Sequence, residues 1–255
     1  MNNVNFYRTY FLDNLYDFSK KQSSEFLGNY LSYPDLYKFN DKDNSLTFKS
    51  ERLVPTQYSD RPRVMLLFSN PHPNSVHEGM LLSPSTRGRE NLFWVIMQDA
   101  DWINFDKILL KPKQIAKLCF KCEYDGPFDY VFYPYYVFPT LYPTHIKKIF
   151  GKDFFRNVIE TEAKVEFLNT IRQIDFDAIV VFNIGIFNHV SVDYIEYCRD
   201  KLVAGEIIQS QISKIDKSLH SFYTFPTGWR FHVDYRRLRI ISLDKIRQEI
   251  FNSLD

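Results

Sequence analysis

Apolar runs along this chain are separated by polar, proline-rich breaks, and the clearest run is Val64–Phe68 (V-M-L-L-F). A short continuous apolar run closed by a turn predicts a strand buried on both faces. Ser69-Asn70-Pro71-His72-Pro73 ends it, because two prolines in three residues stop a strand and fix the backbone of the turn. Asn70 and His72 are thereby held at the carboxyl end of a core strand, where open α/β sheets bind ligands. A loop with Gly79 comes next, then Ser85 and Thr86 as caps for a helix carrying Leu92, Phe93, Val95 and Ile96 inward.

On either side the periodicity changes. Tyr7, Phe11, Leu15 and Phe18 recur at helical spacing and predict a first helix. Pro34 and Asn40–Asn44 break the segment after that helix, and Glu51–Arg63 reads as an approach loop. Asp129–Thr140 is aromatic and β-prone, with Pro134 favouring an edge strand that runs into a loop. Its tyrosines read as packing beneath that loop, with a pocket wall as the alternative. Val158, Val165, Leu168 and Ile171 share one helical face, with Glu160, Glu162, Lys164 and Arg172 outside it. After the turn Asp175-Phe176-Asp177 come an apolar strand, Ala178–Phe182, and Asn183-Ile184-Gly185. Phe222–Phe225 is the last core strand. Phe231, Val233 and Tyr235 alternate with polar residues and suggest one more strand, and Ser242 would cap a terminal helix through Leu243, Ile246, Ile250 and Leu254.

The expected fold is an α/β three-layer sandwich. Its short, mostly parallel four-stranded central sheet uses Val64–Phe68, Val131–Tyr136, Ala178–Phe182 and Phe222–Phe225, with helices on both faces. Residues 61–255 form this domain, and residues 1–60 a helical N-terminal extension packed on it.

Composition narrows the functional classes. The 255 residues carry a net charge of only +1, so any nucleic-acid contact has to come from a local patch. No apolar run approaches the roughly 20 residues that span a membrane, and no signal-like apolar segment opens the chain. Three cysteines fit a reducing compartment, so a cytoplasmic location is expected. Cys119-Phe120-Lys121-Cys122 is a lone Cys-x-x-Cys, and Cys198 does not supply the second pair that a metal site needs. The cysteines therefore read as structural or surface residues, and neither a metal nor a cofactor is expected.

Two stretches resemble the uracil-DNA glycosylase superfamily, closest to its mismatch-specific uracil/thymine DNA glycosylases. Phe68-Ser69-Asn70-Pro71 is similar to a first motif Gly-x-Asn-Pro at a strand end, with Phe68 in place of the glycine. Asn91-Leu92-Phe93-Trp94 is similar to the Asn-x-Phe-Trp that opens the next helix. Pro226-Thr227-Gly228 resembles the Pro-Ser-Gly of a second motif, with Phe225 replacing its asparagine and Trp229 its wedging leucine.

The resemblance implies a uracil-DNA glycosylase-like fold and an enzyme that flips out and excises uracil or a mismatched or damaged base of duplex DNA by water attack on the N-glycosidic bond. Asn70 would orient the water through its amide carbonyl, since a neutral amide positions rather than abstracts. From its place in the loop, His72 would donate a hydrogen bond or charge to the departing base. Ser69, Pro71, Leu82, Phe225 and Thr227 would line the base pocket. Arg87, Arg89, Gly228, Trp229 and Arg230 would meet the DNA, with Arg236, Arg237 and Arg239 as further phosphate candidates. Plainer readings stand beside these: an asparagine satisfying its own turn, a tryptophan in the core, arginines facing water. The changes at Phe68 and Phe225 leave two alternatives, a catalytically silent relative that binds nucleic acid or a small ligand, and an unrelated α/β hydrolase of nucleoside-like substrates.

Overall fold

The computed structural model describes residues 5–12, 32–83, 91–105, 111–194, 206–213, 219–223 and 233–254. Strands β1 (Asn5–Phe11), β2 (Tyr37–Asn40) and β3 (Ser45–Glu51) form an antiparallel sheet in the order β1-β3-β2. Strands β4 (Arg63–Phe68), β5 (Asp129–Pro134), β6 (Ala178–Val181), β7 (Ile208–Gln211) and β8 (His220–Tyr223) form a five-stranded sheet in the order β5-β4-β6-β8-β7. Only β7 runs antiparallel to its neighbour. The helices are α1 (Pro73–Glu78), α2 (Leu92–Asp99), α3 (Pro112–Lys121), α4 (Pro143–Phe150), α5 (Lys152–Phe154), α6 (Thr161–Gln173), α7 (Ile184–Val190) and α8 (Val233–Asn252), with a π-helical stretch Phe155–Glu160 joining α5 to α6.

Strand periodicity divides the core into two halves. Val64, Leu66 and Phe68 point to one face, where α2, α3 and α8 contribute Phe93, Ile96, Cys119, Phe120, Leu243 and Ile246. Met65 and Leu67 point to the other, against Phe167, Phe187 and the antiparallel sheet's Tyr10, Leu46 and Phe48. Both faces of β4 are therefore covered, which is why its sequence is unbroken in apolar residues. The chain passes from β4 to β5 over the first face and from β5 back to β6 over the second, so both crossovers have the same hand.

Four of the expected strands form, the last of them described as far as Tyr223, and β5 is indeed an edge of the sheet, paired on its outer side, among the described residues, only through the bridge from Leu53 to Phe132. The fifth, β7, reads Ile-Gln-Ser-Gln; an edge strand this polar carries little hydrophobic signal. The expected helix at Tyr7 and Phe11 is instead strand β1, and the described part of residues 1–60 holds the antiparallel sheet and a 3-10 turn, Pro34–Leu36. A spacing of four residues fits both periods, and here Tyr7 and Phe11 share the outward face of a strand. Leu15 and Phe18 lie outside the described residues.

Three further expectations are corrected. Pro73–Glu78, read as loop, is helix α1, with Pro73 in its first turn and Gly79 at φ 79° closing it. The inward face of α6 is Ala163, Phe167 and Ile171, while Val165 is 53% exposed. The alternating segment near Val233 and Tyr235 belongs to α8, so Ser242 is a buried mid-helix residue and not a cap. Cys119 and Cys122 are buried at the end of α3, and burial pushes both thiols up, Cys122 to about 12. Neither is a reactive thiolate, and both are structural. Cys198 lies outside the described residues.

One fully buried carboxyl group has no hydrogen-bond partner among the described residues. Glu51, the last residue of β3, is 0% exposed and neither carboxyl oxygen is bonded. Opposite it on β1 stands Asn5, whose Nδ2 donates to the Val76 carbonyl of α1 and whose Oδ1 is likewise unpartnered. Burial holds the Glu51 carboxyl well above the usual range, against a smaller opposing pull from Lys49. A raised folded-state pKa contributes stability that is present below about pH 4.5 and lost as pH climbs toward the folded value, by about 1.4 kcal/mol per pH unit. Glu51→Gln is expected to abolish that loss and to be more stable than wild type at pH 8. Urea unfolding of both proteins at pH 5, 6.5 and 8 checks this; parallel pH dependence of the two would refute it.

Candidate functional site

The parallel strands aim their carboxyl ends at one edge of the sheet. β4 leads to β5 on one side, while β6 leads to β7 and then β8 on the other, so the loops after β4 and β6 diverge. By topology that divergence is the crevice position at which open α/β sheets bind ligands. Ser69–His72 leaves β4 on one side of it, and Phe182-Asn183 leaves β6 on the other. Asn183 caps α7, accepting from the Ile186 N–H at 3.1 Å.

Asn70 is half-buried in this crevice, and its side chain is held by its surroundings. Its Nδ2 donates to the Pro71 carbonyl at 3.0 Å, and to the carbonyl and hydroxyl oxygens of Thr140, each at 2.9 Å. Two carbonyls can only accept, so the NH₂ end must face them and the amide cannot be reversed. Oδ1 is left with no bond among the described residues. The bonds reach beyond the turn itself, to the loop after β5, and the Thr140 N–H returns one to the Pro71 carbonyl at 3.1 Å.

Both loops are braced by the antiparallel sheet and the turn before it. The Tyr37 hydroxyl donates to the Pro139 carbonyl at 2.8 Å, and the Ser50 hydroxyl to the Val137 carbonyl. Asn5 holds α1 at the Val76 carbonyl, and the Tyr33 hydroxyl reaches Asn74 Oδ1 at 3.4 Å. The residues ahead of β4 thus fix the geometry around Asn70.

Ser69 and Pro71 belong to the same turn: the Ser69 carbonyl accepts from the Tyr136 N–H at 2.8 Å, and Pro71 is buried. His72 caps α1, with Nδ1 accepting from the Asn74 N–H at 3.2 Å. The residue is exposed, and the partial desolvation of its ring lowers its pKa. The ring is therefore neutral at pH 7, with its proton on Nε2, and offers a hydrogen bond rather than a charge. His77 pairs with Asp35 at 3.1 Å, which engages it away from any such role. Ser75 is buried, and its hydroxyl accepts from the Ser83 N–H at 3.1 Å.

Leu82 lies on the α2 side, at the left-handed φ of 58° that leucine rarely adopts, where its carbonyl accepts from Trp94 Nε1 at 3.1 Å. Its neighbours Met80 and Leu81 are buried in the core. Phe68, at the position of the motif's glycine, is 8% exposed and stacks on Phe182 with ring centroids 4.8 Å apart. The tyrosines of β5 and its loop, Tyr130, Tyr133, Tyr135 and Tyr136, are buried and pack, as expected.

Ser69, Asn70, Pro71 and Thr140 are thus brought together, with His72 at the adjoining helix start. Thr140 is the site residue that sequence reasoning misses; its one signal is its position after the expected second strand. Arg87, Arg89, Phe225, Thr227, Gly228, Trp229 and Arg230 lie outside the described residues. Of the other arginines, Arg236 is ion-paired to Asp99 and Arg239 is buried, so neither is a free surface cation for phosphate; Arg237 is exposed. Among the described residues no cluster of His, Cys, Asp and Glu is arranged to hold a metal, and no helix is long and apolar enough to cross a membrane.

Neither protein-family models nor curated proteins match the chain. The function has to be argued from the site alone.

Proposed function

We propose that this chain is a uracil-DNA glycosylase-like protein that hydrolyses the N-glycosidic bond of a flipped uracil or mismatched base in DNA, without a metal. The observation that carries this is the Asn70 amide, clamped by three acceptors at the divergence of the parallel sheet, with Oδ1 unengaged among the described residues. A carbonyl oxygen fixed in direction orients a water but does not deprotonate it, which suits a bond whose cleavage leaves positive character on the sugar. Neutral His72, donating through Nε2, is suited to the negative charge that develops on the leaving base. The Gly-x-Asn-Pro resemblance and the Asn91 cap opening α2 agree with this reading.

A second reading rests on Phe68. Its ring occupies space beneath the turn where the motif's glycine leaves room, which favours a relative that binds a nucleic acid without excising a base. Incubating the protein with duplexes carrying uracil, thymine mismatches, hypoxanthine and alkylated bases decides between them. Excision is expected to leave alkali-labile abasic sites in at least one duplex; salt-dependent binding with no abasic sites supports the second reading. Absence of both overturns the assignment.

A further inference from the structure

We infer that the DNA strand entering this site runs along α4, with an unstacked base on Tyr142 and phosphates on the helix's exposed lysines; the inference rests on the nucleic-acid reading above. The chain is nearly neutral overall, so a polyanion partner requires a local patch. One lies directly beside Asn70. The Thr140 hydroxyl that accepts from Asn70 Nδ2 donates in turn to the Tyr142 carbonyl at 2.9 Å. Tyr142 is therefore two hydrogen bonds from Asn70, yet it is 62% exposed, and Leu141 beside it is 41% exposed. Its ring lies edge-to-face with His145, the centroids 5.1 Å apart.

From Tyr142, the solvent face of α4 carries Thr144, Lys147 and Lys148, and continues through Lys152 to Arg156, all exposed. Asp153 is the one exposed acid along residues 142–156, so the strip is positive while the chain as a whole is balanced. The inward positions Ile146 and Ile149 are buried, so this face is fixed by packing. An aromatic platform followed by exposed cations on successive helical elements matches a nucleic-acid strand, in which bases stack and phosphates repeat.

The test uses a fluorescein-labelled duplex carrying a uracil mismatch, titrated at several salt concentrations with the full chain. Lys147→Ala/Lys152→Ala is expected to reduce the slope of log affinity against log salt by about 2, since each phosphate contact contributes about 0.9. Tyr142→Ala is expected to weaken binding by roughly 5- to 100-fold, the range for losing one base–aromatic stack, whereas Tyr142→Phe keeps it. These positions are exposed, so unchanged thermal melts separate loss of binding from loss of fold. If wild type binds and both variants bind equally with an unaltered slope, the strand lies elsewhere and this inference fails alone. If wild type shows no salt-dependent binding, the nucleic-acid reading falls with it. Self-association that Tyr142→Ala abolishes would instead make the strip a contact between two copies and overturn the inference.

Discussion

Arg61→Ala is expected to lower the unfolding free energy by about 3–5 kcal/mol, a large fraction of the 5–15 kcal/mol typical of a domain. Asp129 opens β5 with its carboxylate fully buried, and Arg61 Nε donates to it at 2.9 Å. The same guanidinium donates to the carbonyls of Cys122, Tyr124 and Gly126 at 2.7, 2.9 and 3.0 Å, and lies over the Tyr124 ring. Removing it leaves a buried carboxylate without its charged partner, held by the Ser59 N–H and hydroxyl, and takes a donor from each of three carbonyls. Arg61→Lys should recover only part of the loss, because an ammonium cannot spread donors over four oxygens in a plane. Urea unfolding at pH 7 measures both variants, and a loss below 1 kcal/mol for Arg61→Ala would show that the pair does not hold the chain together. The pair sits at the amino end of β4 and β5, opposite the candidate site. Folded Arg61→Lys should therefore bind DNA as wild type does.

Asn70→Ala is expected to reduce base excision about 100-fold or more while changing DNA affinity little, because the amide acts on a water rather than on the duplex. Asn70→Asp makes the sharper comparison. A carboxylate cannot donate to the Pro71 and Thr140 carbonyls, so it would be repelled from two of the three oxygens that hold the amide. It should be inactive and also less stable than Asn70→Ala, which only removes the donor. Single-turnover excision, DNA affinity and thermal melting of the two variants check this. Full excision by Asn70→Ala would remove the residue from the mechanism and leave it as a clamp between loops.

The same clamp explains how the site depends on distant parts of the chain. Asn70 is held by Thr140, and the loop carrying Thr140 is held by Tyr37 and Ser50. The small antiparallel sheet is thus a brace for the crevice. Glu51 and Asn5 lie in that brace, beneath α1, so ionising Glu51 at high pH would disturb the support of α1, which starts two residues after Pro71.

Local sequence determined much of this protein. The run Val64–Phe68 and the prolines after it had only one stable reading: a doubly buried strand ending in a rigid turn that carries Asn70. The resemblance at Asn91-Leu92-Phe93-Trp94 marked a helix start, and Asn91 is the cap because its side chain satisfies an orphan N–H there, while Ser85 and Thr86, the caps read from the sequence, lie outside the described residues. Pro134 placed β5 at an edge, because proline cannot donate to a second neighbour. Other features were decided only by tertiary contact. Four-residue spacing at Tyr7 and Phe11 fits a helix or a strand, and pairing with β3 chose the strand. Glu51 has no sequence mark of burial, and Thr140 none of touching Asn70 across 70 residues of chain. The strand order, and with it the crevice, is likewise absent from any local pattern, because it depends on which faces must be covered once all the strands exist.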